Sequence, residues 1–109
     1  MPDPAAFFDV DLRVARITAA EPNPKARVPA YVLTLDLGPL GPRTSSAQLT
    51  ERYAPAELVG RLVIVAANLG ARRIAGVKSQ VLVLGASDAA GQTALLGVEP
   101  GTPPGSRVH

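Results

Sequence analysis

The sharpest periodicity in the chain lies at Tyr31, Leu33, Leu35 and Leu37, which alternate with Val32, Thr34 and Asp36 and predict a strand with one buried face. Upstream, residues 11–20 predict another strand, in which Leu12 and Val14 alternate with Arg13 and Ala15. Its phase slips at Arg16-Ile17, which predicts a bulge or a strong bend. The polar, proline-containing stretch 21–29 links the two strands, and the turn cluster Gly38-Pro39-Leu40-Gly41-Pro42 leads into a third strand over 43–49. Residues 61–68 and 79–86 are apolar at both parities, so each predicts a strand covered on both sides. Asp88-Ala89-Ala90-Gly91 turns the chain into a last strand over 93–98. Two short helical pieces interrupt this pattern. Asp3 is placed to cap a turn that begins at Pro4, and Pro55 to Val59 is closed by Gly60. The proline-rich tail 100–105 is incompatible with helix, and Arg107-Val108 offers either an edge pairing or a contact with a second subunit.

Five or six short strands with one short helix among them is the order of an all-β fold, a small OB-type Greek-key barrel with short helices; a β-sandwich is the alternative. A length of 109 residues predicts one domain over 1–109, with a helical turn at 1–8 and a C-terminal segment at 99–109. The acidic start Met1-Pro2-Asp3 is unlike a signal peptide, and no apolar run approaches the about 20 residues of a membrane span, so a cytoplasmic protein without membrane insertion is expected. The absence of cysteine removes disulfides, thiolate metal sites and cysteine nucleophiles, and the one histidine is His109. Ser45-Ser46 therefore has no histidine base, and no glycine-rich phosphate loop occurs. A non-enzymatic protein with no cofactor and no metal is expected.

A net charge of +2 hides an uneven distribution. Residues 1–11 carry −3, residues 12–78 carry +6 and residues 79–109 carry −1. Arg72-Arg73 with Lys78 is the densest basic cluster, expected in a loop that follows a buried strand. Such charge either solvates a surface or attracts phosphate and acidic peptide. The chain has only four aromatic residues, a weak endowment for stacking single-stranded bases; Phe7 and Phe8 fit a hydrophobic plug and Tyr31 a core or rim position.

Phe8-Asp9-Val10-Asp11-Leu12-Arg13-Val14 resembles the opening strand of the tRNA-binding OB-domain family, found in CsaA-type export chaperones, free tRNA-binding proteins and aminoacyl-tRNA synthetase appendices. Ser45-Ser46-Ala47-Gln48-Leu49-Thr50, then Tyr53 to Gly60, and then Asn68 to Gly85 are similar to the CsaA-type branch. The tRNA-binding branches carry Ser-x-Gly-Met where this chain has Ser79-Gln80-Val81-Leu82, and a Ser-Gly-Leu-like element where it has Ser45-Ser46-Ala47. The resemblance runs from about residue 7 to the C-terminus. It implies an ATP-independent homodimeric chaperone that binds unfolded or preprotein chains and assists export; tRNA binding by the same groove is the alternative.

On that reading Ser45, Ser46 and Gln48 hydrogen-bond an extended peptide backbone, with Asn68 and Ser79 beside them, and Arg72, Arg73 and Lys78 attract acidic peptide or RNA. Strand-end hydrogen bonding is the competing role for the serines, and loop capping for Asn68. Phe7, Phe8, Leu95, Leu96 and Val98 are the expected dimer contacts, being apolar pieces that a small barrel leaves uncovered.

Overall fold

In the computed structural model, which describes residues 3–109, the first long strand is β1 (Leu12–Pro22). Met1 and Pro2, the first residues of the expected N-terminal turn, lie outside the described residues. Ala15 and Ile17 point into the core, so the inward face of β1 begins on odd positions. The register against β2 (Tyr31–Asp36) then skips Thr18, between the pairs Ile17–Leu35 and Ala19–Thr34, and the inward position passes to Ala20. The expected bulge is therefore present, one to two residues later than the Arg16-Ile17 slip suggested. Val14, on the opposite parity with Leu12, is buried on the outer side, opposite its cross-strand partner Ile64.

β2 pairs with β3 (Pro42–Ala47), and β1 also pairs with β4 (Leu62–Ala66), which in turn pairs with the short β7 (Leu82–Val83). All pairings are antiparallel, and the sheet order is β3-β2-β1-β4-β7. This sheet curls into a nearly closed OB-type barrel around Ile17, Leu33, Leu35, Leu37, Leu58, Val63 and Val65, which resolves the choice against a β-sandwich. Tyr31 belongs to the core, and its hydroxyl donates to the Tyr53 carbonyl at 2.8 Å. Leu58 plugs one end from the short helix α1 (Pro55–Leu58), whose Glu57 carboxylate accepts from Ala54 N–H.

The expected continuous strand over 79–86 is broken. Its residues divide among the end of β6 (Val77–Ser79), β7 and β8 (Gly85–Ser87), and Leu82 is 52% exposed, so the stretch is not covered on both sides. β6 pairs with β5 (Arg72–Ile74) in one hairpin, and β8 pairs with β9 (Thr93–Leu95) in another. The second hairpin's loop is held by Asp88, whose carboxylate accepts from Ala90 and Gln92 N–H and meets Arg52 Nη1 at 2.6 Å. The Gln92 hydrogen bond first, then those of Ala90 and Arg52, hold the Asp88 carboxyl below the usual carboxylate range.

At the N-terminus, Asp3 caps a 3-10 helix over Pro4–Asp9 by accepting from Ala5 N–H at 2.9 Å. Phe7 and Phe8 on this turn do not plug the barrel; they form an edge-to-face pair and are 44% and 50% exposed. The C-terminal segment makes the expected edge pairing. Gly105 N–H donates to Val14 O at 2.7 Å, Val108 N–H donates to Leu12 O at 2.8 Å, and Arg13 bridges Arg107. Gly105 has φ +90, and a β-carbon there would lie 2.5 Å from Leu37 O. Gly105→Ala is thus expected to detach this segment and lower stability by about 2 kcal/mol. Urea denaturation of the two proteins measures the difference, and equal midpoints would show that the close approach is dispensable.

Candidate functional site

Arg72, Arg73 and Lys78, expected in a loop, lie instead in the β5–β6 hairpin, in register Arg72–Ser79, Arg73–Lys78 and Ile74–Val77. The two-residue turn Ala75-Gly76, with φ values of 48 and 80, reverses the chain. Two strands of three residues are too short to stand alone, so the root of the hairpin must be anchored.

Segment 78–81 is anchored to β3, largely through side chains. Gln80 N–H donates to Thr44 O at 2.8 Å, while Thr44 N–H donates back to Gln80 Oε1 at 3.0 Å. Thr44 Oγ1 donates to Lys78 O at 2.7 Å. Ser45 Oγ donates to Val81 O at 2.8 Å and lies 3.2 Å from Ser79 Oγ, which accepts from Ser46 N–H. Ser45 is 2% exposed and Ser79 8%, so both hydroxyls are committed to the seam. For Ser45 this is the strand-end hydrogen bonding that competed with peptide binding; the Ser46 hydroxyl makes no such bond among the described residues.

Arg73 and Lys78 face each other across the hairpin and line neither of the clefts beside it, and the other expected residues divide further. Ser46 and Gln48 line a cleft of about 300 Å³ together with Arg27, Val28, Ile74 and Ala75. Arg72 and Ser79 line a second cleft of about 270 Å³ with Leu69, Ile74, Val81 and Leu82. Ile74 belongs to both, so the hairpin separates two adjoining hollows. Asn68 takes no part in either; its amide donates to Asp9 O and its carbonyl accepts from Asp11 N–H, both at 2.8 Å, which ties the N-terminal segment to the barrel.

The apolar lining was missed in the sequence. Leu69, Ile74 and Leu82 are 53%, 45% and 52% exposed, and each had been absorbed into a loop or a buried strand. The signal available was Ala-Gly between Arg72-Arg73-Ile74 and Val77-Lys78-Ser79, a two-residue hairpin turn that would have turned Ile74 outward. Lys25 and Arg27 were missed as well. The Lys25 side chain runs beside Gly76, and Arg27 lines the cleft with Ser46, so the loop after β1 adds its cations to those of the hairpin. None of Lys25, Arg27, Arg72, Arg73 or Lys78 forms a salt bridge among the described residues.

The expected dimer contacts are dispersed in exposure. Leu96 is exposed, Leu95 is half-buried against the core with its N–H donating to the Tyr53 hydroxyl, and Val98 is half-buried beside Arg16 and Arg61.

A small curled barrel with a basic hairpin anchored to its third strand defines a protein of the OB type. The family described as "Putative tRNA binding domain" matches residues 12–107, and the chain belongs to this family. Among curated relatives, the methionine–tRNA ligase 1 of Sorangium cellulosum is 46% identical over 103 residues, covering 94% of this chain. The chain spans 14% of that ligase's length. Among solved structures, the chaperone CsaA of Bacillus anthracis superposes with a TM-score of 0.93 at 41% identity, covering 100% of this chain and 99% of that one. The CsaA chaperone protein of Picrophilus torridus gives 0.92 at 34% identity, covering both chains completely.

The seam carries a direct test. Ser45→Ala leaves Val81 O without a donor in a buried site and is expected to cost about 1–3 kcal/mol, whereas Ser46→Ala, whose hydroxyl makes no internal hydrogen bond among the described residues, is expected to cost less than about 0.5 kcal/mol. Chemical denaturation of both variants distinguishes them; equal losses would show that the serine hydroxyls do not close the barrel.

Proposed function

We propose that this chain is an ATP-independent, CsaA-like holdase that acts in the cytoplasm on unfolded or preprotein chains and assists their export. The observation that carries this reading is the apolar cleft of about 270 Å³ walled by Leu69, Ile74, Val81 and Leu82 directly under a basic hairpin. Exposed apolar side chains accept hydrophobic segments, and the cations hold the polar remainder of the client. Binding lowers the free concentration of aggregation-prone chain by mass action, which needs no nucleotide and no catalytic group. The likeness to two CsaA chaperones over their full lengths supports the same reading.

A second reading is tRNA binding. It is favoured by the family itself and by Lys25, Arg27, Arg72, Arg73 and Lys78, which converge from one loop and one hairpin without acidic partners among the described residues.

Two measurements separate the readings. Leu82→Asp is expected to weaken suppression of aggregation of a denatured client by about tenfold, because it places a charge in the apolar cleft. Arg72→Ala combined with Arg73→Ala is expected to weaken that suppression less than Leu82→Asp does, while flattening the salt dependence of any tRNA binding. If Leu82→Asp holds the client as well as the parent protein does, the cleft is not where clients bind.

Homodimerisation through Phe7, Phe8, Leu95, Leu96 and Val98 belongs to the same proposal, since two copies present two clefts to one long client. Light scattering is expected to give twice the mass of the chain at micromolar concentration. A single-chain mass under those conditions removes the dimer from the proposal.

A further inference from the structure

β5 has one strand neighbour. Arg72–Ile74 pair only with β6, and no backbone hydrogen bond joins them to another segment among the described residues. In a hairpin with a two-residue turn, the pair flanking the turn exchanges hydrogen bonds and the next pair does not. Ile74 and Val77 flank the turn here, so the backbone N–H and C=O of Arg73 point away from β6 toward solvent. An unpaired edge of this kind is a template for an added strand.

The two faces beside that edge differ in chemistry. Arg72 and Ile74 direct their side chains to the cleft shared with Leu69, Val81 and Leu82. Arg73 and Lys78 occupy the alternate face and stand directly opposite each other across the hairpin. Like charges in such a pair repel, and neither is neutralised by a carboxylate among the described residues. Lys25 lies beside the turn and adds to the same positive field.

We propose that the free edge of β5 accepts an extended polypeptide segment as an added antiparallel strand and selects segments in which acidic residues alternate with apolar ones. The residue opposite Arg73 shares its face, so a carboxylate there sits beside the Arg73 cation, on the side away from Lys78, and relieves the Arg73–Lys78 repulsion, while the residues on either side of it direct apolar side chains into the cleft. This inference rests on the polypeptide-binding reading and adds the class of sequence that the site takes. The charge on the hairpin thereby acquires a function in peptide recognition that the cleft alone does not require.

The test uses the unaltered protein and a labelled peptide of alternating valine and glutamate, about eight residues long so that it overhangs β5 at both ends. Fluorescence anisotropy is expected to show about tenfold tighter binding than for a peptide of the same composition arranged in two blocks. N-methylation separates edge pairing from simple charge attraction. Methylating the glutamate amides, which face β5 in the proposed register, is expected to abolish binding; methylating the valine amides, which face away, is expected to leave it within about twofold. Equal binding of the alternating and block peptides, or equal effects of the two methylations, overturns the edge pairing; if a denatured client is still held, the holdase reading survives it. Should tRNA bind while neither peptide nor client does, the polypeptide reading fails and the edge proposal fails with it.

Discussion

The barrel is completed by a seam in which side chains take over much of the work that a backbone ladder does elsewhere. Between β3 and segment 78–81 one backbone bond, Gln80 to Thr44, is flanked by the Gln80 amide, the Thr44 hydroxyl and the paired hydroxyls of Ser45 and Ser79. A buried carbonyl or N–H without a partner costs more than a hydrogen bond contributes, so the loss of any one member weakens the seam. The described residues contain no buried side-chain polar atom without a partner. Everything distal to the seam depends on it: the β5–β6 hairpin has three residues per strand, and its position over the clefts is inherited from Lys78, Ser79 and Gln80 at its root.

The chain resembles both a tRNA ligase and CsaA chaperones, and the seam bears on both proposed readings. The seam fixes the hairpin against the barrel without using the hairpin's own outward groups, which leaves its cations and its apolar residues free to face a ligand. Arg73 and Lys78 lie on one face, and Ile74 lies on the other beside Leu69 and Leu82. On the proposed readings the first face takes a polyanion and the second a hydrophobic segment, and both faces lie outside the core of Ile17, Leu33, Leu35, Val63 and Val65.

The termini form a second closure on the opposite part of β1. Asn68 fastens the N-terminal segment through Asp9 and Asp11, Arg13 meets Asp11 at 2.7 Å, and Arg107 donates to Phe8 O at 2.9 Å while Gly105 and Val108 bond β1. The family resemblance sets Asn68 beside the serines of a ligand groove, with loop capping as its competing role. Its real partners are 57 and 59 residues away, and a separation of that size leaves no trace in local sequence.

The sequence by itself determined the first three strands and the one at 62–66, the inward face of β2, the short helix at Pro55, the bulge in β1 to within two residues and the basic excess in the middle of the chain, because each is a local property of spacing or charge. Tertiary structure alone decided three further matters. It decided which face of β1 is inward at Val14, since both of its sides are covered once β4 and the C-terminal segment are in place. It broke the apolar run 79–86 into pieces and left Leu82 exposed, because residues 78–81 bond β3 before Leu82 and Val83 pair with β4 and Gly85–Ser87 turn to pair with β9. It also divided the serine pair, committing the Ser45 hydroxyl to a buried carbonyl while Ser46 lines a cleft, a distinction set by the two-residue alternation of β3 relative to a strand 33 or more positions away.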